Sequence, residues 1–374
     1  MSSADLAGPA LAALRSLSPF QLTFLQKLPK AELHAHLNGS IPIGTLQELA
    51  RERASTAVSN DANTSSLPEE VLAGITRLQQ GVVLNEIHDF FGLFPAIYAL
   101  TSTPEALSLA TRAVLTSFLE PPSPPDVNAT DELSTLITSN GGSPQAAYLE
   151  LRSTPRETPA MTRLKYIETV LDEVEKYPAD KAALIVSLDR RMSDEVAHEC
   201  IECAVKLKKA GRRVVGVDLC GDPLAGNMEE FEKHFKAAKE AGLGVTLHIA
   251  ETTQNTVSDT NKLLSFNPDR LGHATFLIDT QVDAICASRK PGIEICLSSN
   301  LLCKTVQSLE DHHIAHYLKC DHPIAICTDD ILPFRNSLVG EYALLMAPAP
   351  LGLGLGEEAI ERIAAMGMEC RFKS

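Results

Sequence analysis

The sequence predicts an α/β fold, a TIM-like (β/α)8 barrel with helical insertions after the first strand. Short, almost continuously apolar runs occur eight times along the chain, as expected for parallel strands that are buried on both faces. Segments with helical periodicity lie between them, which is typical of strand–helix crossovers and a parallel sheet. A length of 374 residues accommodates one such barrel with insertions.

The chain before the second strand is predicted to be mainly helical. Residues 1–27 form an Ala- and Leu-rich helical lead-in, and residues 28–374 form the single barrel domain. The first strand ends at His34 and His36. A helix begins at about residue 45, residues 54–66 are polar enough to form a loop, and residues 68–119 are again mostly helical. A Pro-rich segment at about 120–145 predicts an exposed insertion.

The remaining strands and helices alternate in the second part of the chain. Strands are predicted at 147–152, 183–189, 214–219, 244–250, 270–275, 292–297 and 324–328. Helices are predicted at 162–176, 193–209 and 228–241, among others. In a barrel of this kind the reactive groups gather at the carboxyl ends of the strands. Nearly every predicted strand is followed there by a polar or ionisable side chain.

Composition excludes several kinds of partner. The formal net charge is −15 and the pI is about 5.2, whereas nucleic acids and anionic membranes require a basic surface. No apolar run approaches the roughly 20 residues of a membrane span, and the N-terminus lacks the pattern of a secretory signal. A cytoplasmic location is therefore predicted, with a small-molecule partner and no evident obligate protein partner.

Four strand-end residues predict a metal site. His34 and His36 alternate on one strand, so their imidazoles share a face. Alone, the pair is also compatible with solvated histidines. His248 and Asp329 end two other strands, and three imidazoles with one carboxylate leave a position for water, as in catalytic metal sites. Nitrogen-rich ligation favours Zn²⁺, one per subunit, although Fe²⁺ or Co²⁺ could also bind.

Other groups at the same strand ends are candidates for chemistry and binding. Glu251 is a candidate proton shuttle, and His273 is a candidate to orient or deprotonate water. Asp330, next to the ligand Asp329, is placed to reach a substrate. After the second strand, Ser153, Thr154, Pro155 and Arg156 form a loop whose hydroxyls and guanidinium suit a 5′-phosphate.

The sequence resembles the adenosine deaminase family, and within it the adenosine deaminase-like proteins that act as N6-methyl-AMP deaminases. The matching segments are 28–40 (LPKAELHAHLNGS), 148–156 (YLELRSTPR), 217–223 (VDLCGDP), 247–251 (LHIAE), 269–273 (DRLGH) and 327–330 (CTDD). The resemblance implies a one-zinc (β/α)8 barrel that hydrolyses the amino group from C6 of a purine nucleotide or nucleoside.

The resemblance also implies residue roles. His34, His36, His248 and Asp329 would hold zinc, Glu251 would protonate N1 of the ring, and His273 would position the attacking hydroxide. The substrate contacts implied, together with those proposed above, are His36, Asn38, Tyr98, Ser153, Thr154, Pro155, Arg156, Asp189, Gly221 and Asp330.

Two residues depart from the family pattern. Tyr98 stands where the subgroup tends to carry a substrate-facing His. Ala274 stands where the family usually has Gly, and its methyl group is expected to crowd the backbone.

Three alternatives to a monophosphate deaminase place different requirements on the sequence. An adenosine or adenine deaminase would need no phosphate site. A catalytically inactive barrel that acts as a binding protein would lack a catalytic group, and none is missing. The cytidine-type zinc deaminases are excluded, because their His-x-Glu and Pro-Cys-x-x-Cys signature is absent.

Overall fold

The structure is a computed structural model that describes residues 6–59, 67–80, 92–122, 142–287 and 290–373. Eight parallel strands form one sheet in the order β1 to β8. Their bounds are β1 Ala31–His36, β2 Tyr148–Ser153, β3 Ala182–Asp189, β4 Val214–Cys220, β5 Gly244–Ile249, β6 Arg270–His273, β7 Gly292–Ile295 and β8 Ile324–Ile326.

The sheet curls into a nearly closed barrel. The backbone N–H of His36 donates to the carbonyl of Asp329 at 3.2 Å, joining the first and last strand ends. The N–H of Thr328 donates to Oε2 of Glu32 at 2.9 Å, and this contact supports the same junction. All seven residues of β4 are buried, as expected for a strand covered on both faces. The predicted TIM-like (β/α)8 barrel is confirmed.

Helices connect the strands on the outside of the barrel. Those before β2 are Gly8–Ser16, Pro19–Lys27, Ile43–Ser59, Glu69–Gln80, Phe94–Leu100 and Pro104–Leu119. The connections up to β7 carry Arg163–Val174, Asp194–Lys209, Met228–Glu240, Val257–Ser265 and Asp279–Ala287. Leu297–Leu302 and Ile314–Lys319 precede β8, and Ile331–Phe334, Leu338–Met346 and Glu357–Glu369 follow it. None of the described helices is both long and apolar enough to cross a membrane.

Local sequence sets where several crossover helices begin. Thr162, Ser193, Asn227 and Thr256 are N-cap residues whose side chains accept a hydrogen bond from a backbone N–H two or three residues later. Such caps satisfy donors that the first helical turn cannot pair internally. The helices predicted at 162–176, 193–209 and 228–241 therefore begin within one residue of their predicted starts.

Some predicted boundaries were wrong. Residues 54–59 belong to the helix Ile43–Ser59 rather than to a loop, because a polar segment without Gly or Pro can continue a helix. Strand β6 ends at His273 and not at residue 275, since His273 and Ala274 adopt positive φ angles of 61° and 51°. Most of the predicted Pro-rich insertion lies outside the described residues.

Two arginines neutralise carboxylates inside the barrel. Arg152 contacts Glu294 at 2.9 Å and Asp218 at 3.4 Å. Arg270 contacts Glu294 and Glu150, each at 2.7 Å. All five side chains are 0–1% exposed. Buried charges persist only when they are paired in this way. The network therefore fixes carboxylates directly below the strand ends.

A second charge cluster joins two outer helices. Glu173, whose side chain is 4% exposed, accepts hydrogen bonds from Ser108, from Arg112 at 3.0 and 3.1 Å, and from Lys176 at 2.7 Å. Burial alone would raise the pKa of Glu173, but these donors lower it to about 2. The folded pKa is thus below the ordinary carboxyl value. The resulting stabilisation is present above pH 4.5 and is lost as the pH falls towards 2.

We therefore expect Glu173→Gln to destabilise the protein at pH 7 by about 1–2 kcal/mol. The difference from the wild type should shrink as the pH falls from 4.5 towards 2. Denaturant unfolding at several pH values measures it. Glu168→Gln, on the same helix, is the control because Glu168 makes none of these contacts. A Glu173→Gln penalty that stayed constant down to pH 2 would contradict this prediction.

Candidate active site

Four histidines and one aspartate meet at the carboxyl ends of the strands. His34 and His36 come from β1, His248 comes from β5, His273 ends β6, and Asp329 follows β8. One ligand atom from each of His34, His248, His273 and Asp329 lies within 4.8 Å of the others, and all four residues are buried. This group is able to hold a metal ion.

The separations between donor atoms fit a tetrahedral metal site. Nε2 of His248 lies 3.0 Å from Nε2 of His34 and 3.1 Å from Nε2 of His36. Oδ1 of Asp329 lies 3.7 Å from Nε2 of His34 and 3.6 Å from that of His36. Ligand atoms around a tetrahedral zinc ion with bonds near 2.0–2.1 Å are about 3.3 Å apart. His273 is slightly farther away, with Nε2 3.9 Å from Oδ2 of Asp329.

Carboxylates below the site orient two of the imidazoles. Nδ1 of His34 lies 2.5 Å from Glu294, and Nδ1 of His248 lies 3.0 Å from Asp218. Because a carboxylate accepts hydrogen bonds, both Nδ1 atoms carry a hydrogen, and both Nε2 atoms face the site. Two Nε2 atoms 3.0 Å apart repel each other unless a proton or a metal ion lies between them. Carboxylates in this position are the usual partners of metal-binding histidines.

The same contacts shift the pKa values of these groups. Burial alone would raise the pKa of Glu294, but Arg152 and Arg270 lower it to about 2. Burial lowers the pKa of His34 well below its ordinary value, and the nearby positive charge of Arg152 lowers it further. Burial alone would also lower the pKa of His248, yet the charge of Asp218 raises it to about 9. A metal ion bound by His248 therefore replaces a proton that Asp218 otherwise stabilises.

The backbone is shaped to fit these side chains. A Cβ atom at Gly272 would lie 2.8 Å from Cε1 of His34, so only glycine leaves room for the imidazole. Ala250, His273 and Asp329, at or just beyond the ends of β5, β6 and β8, have positive φ angles of 50°, 61° and 62°. Such conformations are costly for residues with side chains, and they cluster at functional sites.

Several buried oxygens near the strand ends have no hydrogen-bond partner among the described residues. They include Oδ1 of Asn38, Oε1 of Glu251 and Oδ1 of Asp330. Asp330 lies directly against Gly39, where a Cβ atom would clash with its carboxylate. Burial, and then the charge of Asp329, raises the pKa of Asp330 well above its ordinary value. Buried polar atoms are seldom unpaired in native proteins, so these oxygens are suited to a polar ligand.

Contacts with other parts of the barrel stabilise the loop after β2. Ser153 shares a hydrogen bond of 2.8 Å with the hydroxyl of Tyr166. Oγ1 of Thr154 lies 3.6 Å from the sulfur of Cys220. Pro155 is buried between Thr154 and Arg156.

Arg156 is held against the helix Phe94–Leu100 and the residue that follows it. Its guanidinium stacks on the ring of Tyr98 at 4.2 Å. It donates to the carbonyl of Tyr98 at 3.1 Å and to the hydroxyl of Thr101 at 2.8 Å. Its buried Nε atom has no partner among the described residues.

Asp189 and Gly221 lie together at the ends of β3 and β4. A Cβ atom at Gly221, whose φ is 93°, would come within 2.8 Å of the Asp189 carboxyl group. The guanidinium of Arg191 donates hydrogen bonds of 2.9 and 2.6 Å to the carboxylate of Asp189. The structure thus places Asp189 beside Gly221, as it places Tyr98 beside Arg156.

Comparison with known proteins decides the family. The family model for adenosine deaminase matches residues 139–374. Human N6-methyl-AMP deaminase is 33% identical over 340 residues, which cover 87% of this chain and 84% of the relative. The chain belongs to the adenosine deaminase family. As a member of the adenosine deaminase family, it is a hydrolytic deaminase that acts on a C–N bond.

Solved structures of adenosine deaminase-like proteins resemble the whole barrel. The Arabidopsis N6-mAMP deaminase superposes with a TM-score of 0.74 and 30% identity, covering 94% of this chain and 96% of that one. A crystal structure of Arabidopsis ADAL complexed with IMP has a TM-score of 0.74 and 30% identity, covering 93% of both chains.

One departure from the adenosine deaminase family pattern has a structural consequence. Ala274 has a φ of 51° and is 2% exposed, with its N–H donating to the carbonyl of Ile249 at 3.1 Å. This left-handed conformation favours glycine, because a Cβ atom costs about 1–2 kcal/mol there. The strain of the extra methyl group therefore lies in the backbone of Ala274 itself.

Sequence reasoning missed the carboxylates that orient the histidines in this adenosine deaminase family member. Asp218 and Glu294 each interrupt an otherwise apolar strand, β4 and β7. A charged residue inside such a strand must find a buried partner. The charged residues within apolar strands were visible in the sequence, but the sequence does not identify the residues with which they pair.

Arg190 was also left without a role. It is 3% exposed and donates to the carbonyl of His248 at 2.6 Å. This contact fixes the backbone that carries the His248 imidazole.

Proposed function

We propose that the protein is a zinc-dependent deaminase that converts N6-methyl-AMP to IMP and methylamine. The observation that carries this proposal is the convergence of imidazoles and Asp329 beside Oε1 of Glu251 and Oδ1 of Asp330, two oxygens with no hydrogen-bond partner in the described part of the chain. Its relatives support the substrate, because proteins that match most of this chain are N6-methyl-AMP deaminases. A cytoplasmic location remains a prediction from the sequence.

We assign His34, His36, His248 and Asp329 as the zinc ligands. The Nε2 atoms that face one another and the donor-atom separations of 3.0–3.7 Å support this assignment. A zinc ion held there would act as a Lewis acid and make hydroxide available near neutral pH. Asp218 and Glu294 remain ionised beneath the histidines, so their negative charges would help to balance the positive charge of the ion.

The remaining side chains would manage protons and orient the purine. Glu251 would protonate N1 as hydroxide adds to C6, before the amine leaves, and its buried Oε1 has no hydrogen-bond partner among the described residues. His273 would orient the attacking water, since its Nε2 lies 3.9 Å from Asp329. Asp330, whose pKa is raised well above its ordinary value by burial, would form a hydrogen bond with a ring nitrogen, and Gly221 would leave space for the ring.

We further propose that the phosphate of the substrate binds at the loop after β2. The stacked pair of Tyr98 and Arg156, with Ser153, Thr154 and Pro155, would form the phosphate side of the site. Asn38, Asp189 and the outer edge of His36 would contact the rest of the nucleotide. The guanidinium of Arg156 supplies the positive charge of this group, and its contacts with Tyr98 and Thr101 already order it. Binding of an anion would therefore cost little side-chain conformational entropy.

Kinetics with N6-methyl-AMP, AMP and adenosine test the substrate. We expect kcat/KM to be highest for N6-methyl-AMP and lowest for adenosine. If adenosine were clearly the best substrate, the chain would be a nucleoside deaminase without a phosphate requirement. A protein that loads metal but deaminates none of the three would contradict the proposed activity.

Arg156→Ala is expected to raise KM for N6-methyl-AMP about 10- to 100-fold, the loss typical of a charge-assisted hydrogen bond of 1.5–3 kcal/mol. Its kcat/KM for adenosine should change little, because adenosine has no phosphate. Steady-state kinetics measure both values. Arg212→Ala is the matched control, since Arg212 pairs with Asp172 and Glu175 on the outside of the barrel. An equal loss on both substrates would show that Arg156 does not recognise phosphate.

A further inference from the structure

A second group of metal-binding side chains lies on the outside of the barrel. Cys286 is near the end of the helix Asp279–Ala287, His316 lies within the helix Ile314–Lys319, and Cys320 directly follows that helix. One ligand atom of each of these three residues lies within 4.8 Å of the other two. Cys286 is half-buried, whereas His316 and Cys320 are exposed. The cluster is therefore accessible to an ion from solution.

His322 adds a buried imidazole to the same cluster. It is 1% exposed, and its Nε2 lies 2.7 Å from the carbonyl of Pro291. A carbonyl only accepts hydrogen bonds, so Nε2 carries the hydrogen and Nδ1 presents a lone pair. Nδ1 lies 3.7 Å from the sulfur of Cys286. Metal-binding histidines are typically fixed by a carbonyl or carboxylate in this way.

The location separates this cluster from the candidate active site. The helices Asp279–Ala287 and Ile314–Lys319 lead into β7 and β8, so their last residues lie near the amino ends of these strands. The candidate active site lies at the carboxyl ends. The two groups share no residue.

We propose that Cys286, His316 and Cys320 bind a thiophilic divalent ion such as Zn²⁺, with Nδ1 of His322 in the fourth position. Two thiols and two imidazoles are the donor set of many structural zinc sites. Sulfur and nitrogen ligands around tetrahedral zinc are about 3.5–3.8 Å apart, so an adjustment of roughly 1 Å brings the ligand atoms of Cys286, His316 and Cys320, now within 4.8 Å of one another, to that separation. The ion cross-links the two helices that precede β7 and β8. Binding releases the thiol protons, because the thiolate is the ligand.

The proximity of the two sulfurs alone is also compatible with a disulfide. The imidazoles decide in favour of a metal, since a disulfide needs neither of them. His322 in particular is oriented by Pro291 so that its lone pair faces Cys286.

Cobalt binding to the full chain tests the proposal. The protein is reduced, stripped of metal by a chelator and titrated with Co²⁺. Thiolate ligation produces a sulfur-to-cobalt charge-transfer band in the near ultraviolet, which imidazole and carboxylate ligands do not produce. We expect the band in the wild type. The double variant Cys286→Ser/Cys320→Ser should lose the band and bind one equivalent of metal less than the wild type. Cys303→Ser, which removes another exposed cysteine, should keep the band.

A single substitution provides a second test in case the double variant does not fold. His316 is exposed, so His316→Gln should fold normally and weaken cobalt binding at the sulfur site by at least about tenfold. His198→Gln, an exposed histidine on the helix Asp194–Lys209, should leave it unchanged.

Three results would overturn the proposal. The first is that the reduced wild type shows no sulfur-to-cobalt band. The second is that the band persists in the double cysteine variant. The third is that His316→Gln binds cobalt at the sulfur site as tightly as the wild type does.

Discussion

Glu251→Gln is expected to lower kcat for deamination by about 10²–10⁴-fold, the usual contribution of a general acid or base. Glutamine keeps the size of the side chain but cannot donate the proton that N1 of the purine requires. Oε1 of Glu251 is buried without a partner among the described residues, so the substitution breaks no hydrogen bond of that oxygen. Metal content and thermal stability should therefore stay close to those of the wild type.

Steady-state kinetics and metal content by atomic emission, measured on the same preparation, check this prediction. Glu229→Gln is the control, because Glu229 pairs with Lys262 at 2.5 Å on the outside of the barrel. An active Glu251→Gln protein would rule out Glu251 as the proton donor. A variant that lost both its activity and one equivalent of metal would instead place Glu251 among the metal ligands.

His248→Gln is expected to lose one equivalent of bound metal relative to the wild type and at least about 10³-fold in kcat/KM. Its Nε2 is the donor atom nearest to those of both His34 and His36, at 3.0 and 3.1 Å. Removing it leaves only three of the four proposed ligands, His34, His36 and Asp329. It also leaves Asp218 without its imidazole partner.

Asp218→Asn, a distant control variant and removal of the metal test the prediction for His248 more specifically. Asp218→Asn keeps the imidazole and removes only the charge below it, so we expect a 10- to 100-fold loss of metal affinity. His198→Gln, on the outside of the barrel, should retain full metal content and activity. Chelation of the wild type should abolish activity, and added Zn²⁺ should restore it. Full activity of the metal-free protein would contradict the proposed chemistry.

Much of the site was predictable from local sequence. His34 and His36 share a face because side chains alternate along any strand. The positions of His248, His273 and Asp329 at strand ends follow from apolar runs that stop immediately before or after them. Adding the rule that barrel chemistry gathers at one end of the strands brings these residues together without a structure.

Other features depended on contacts between distant parts of the chain. Glu294 lies 260 residues from His34, and Asp218 lies 30 residues from His248. Their sequence context indicates only that a buried charge needs a partner. The same holds for Arg156, whose guanidinium is held by Tyr98 and Thr101, 58 and 55 residues away.

The sequence by itself determined the barrel, the order of its strands and the set of ionisable residues at their carboxyl ends. It could do so because strand burial and side-chain alternation are periodic properties of short segments. Only the tertiary structure decided which carboxylate orients which imidazole, and that Cys286 meets His316 and Cys320. Those pairings depend on barrel closure and helix packing, which join residues far apart in the chain and leave no periodic signal in it.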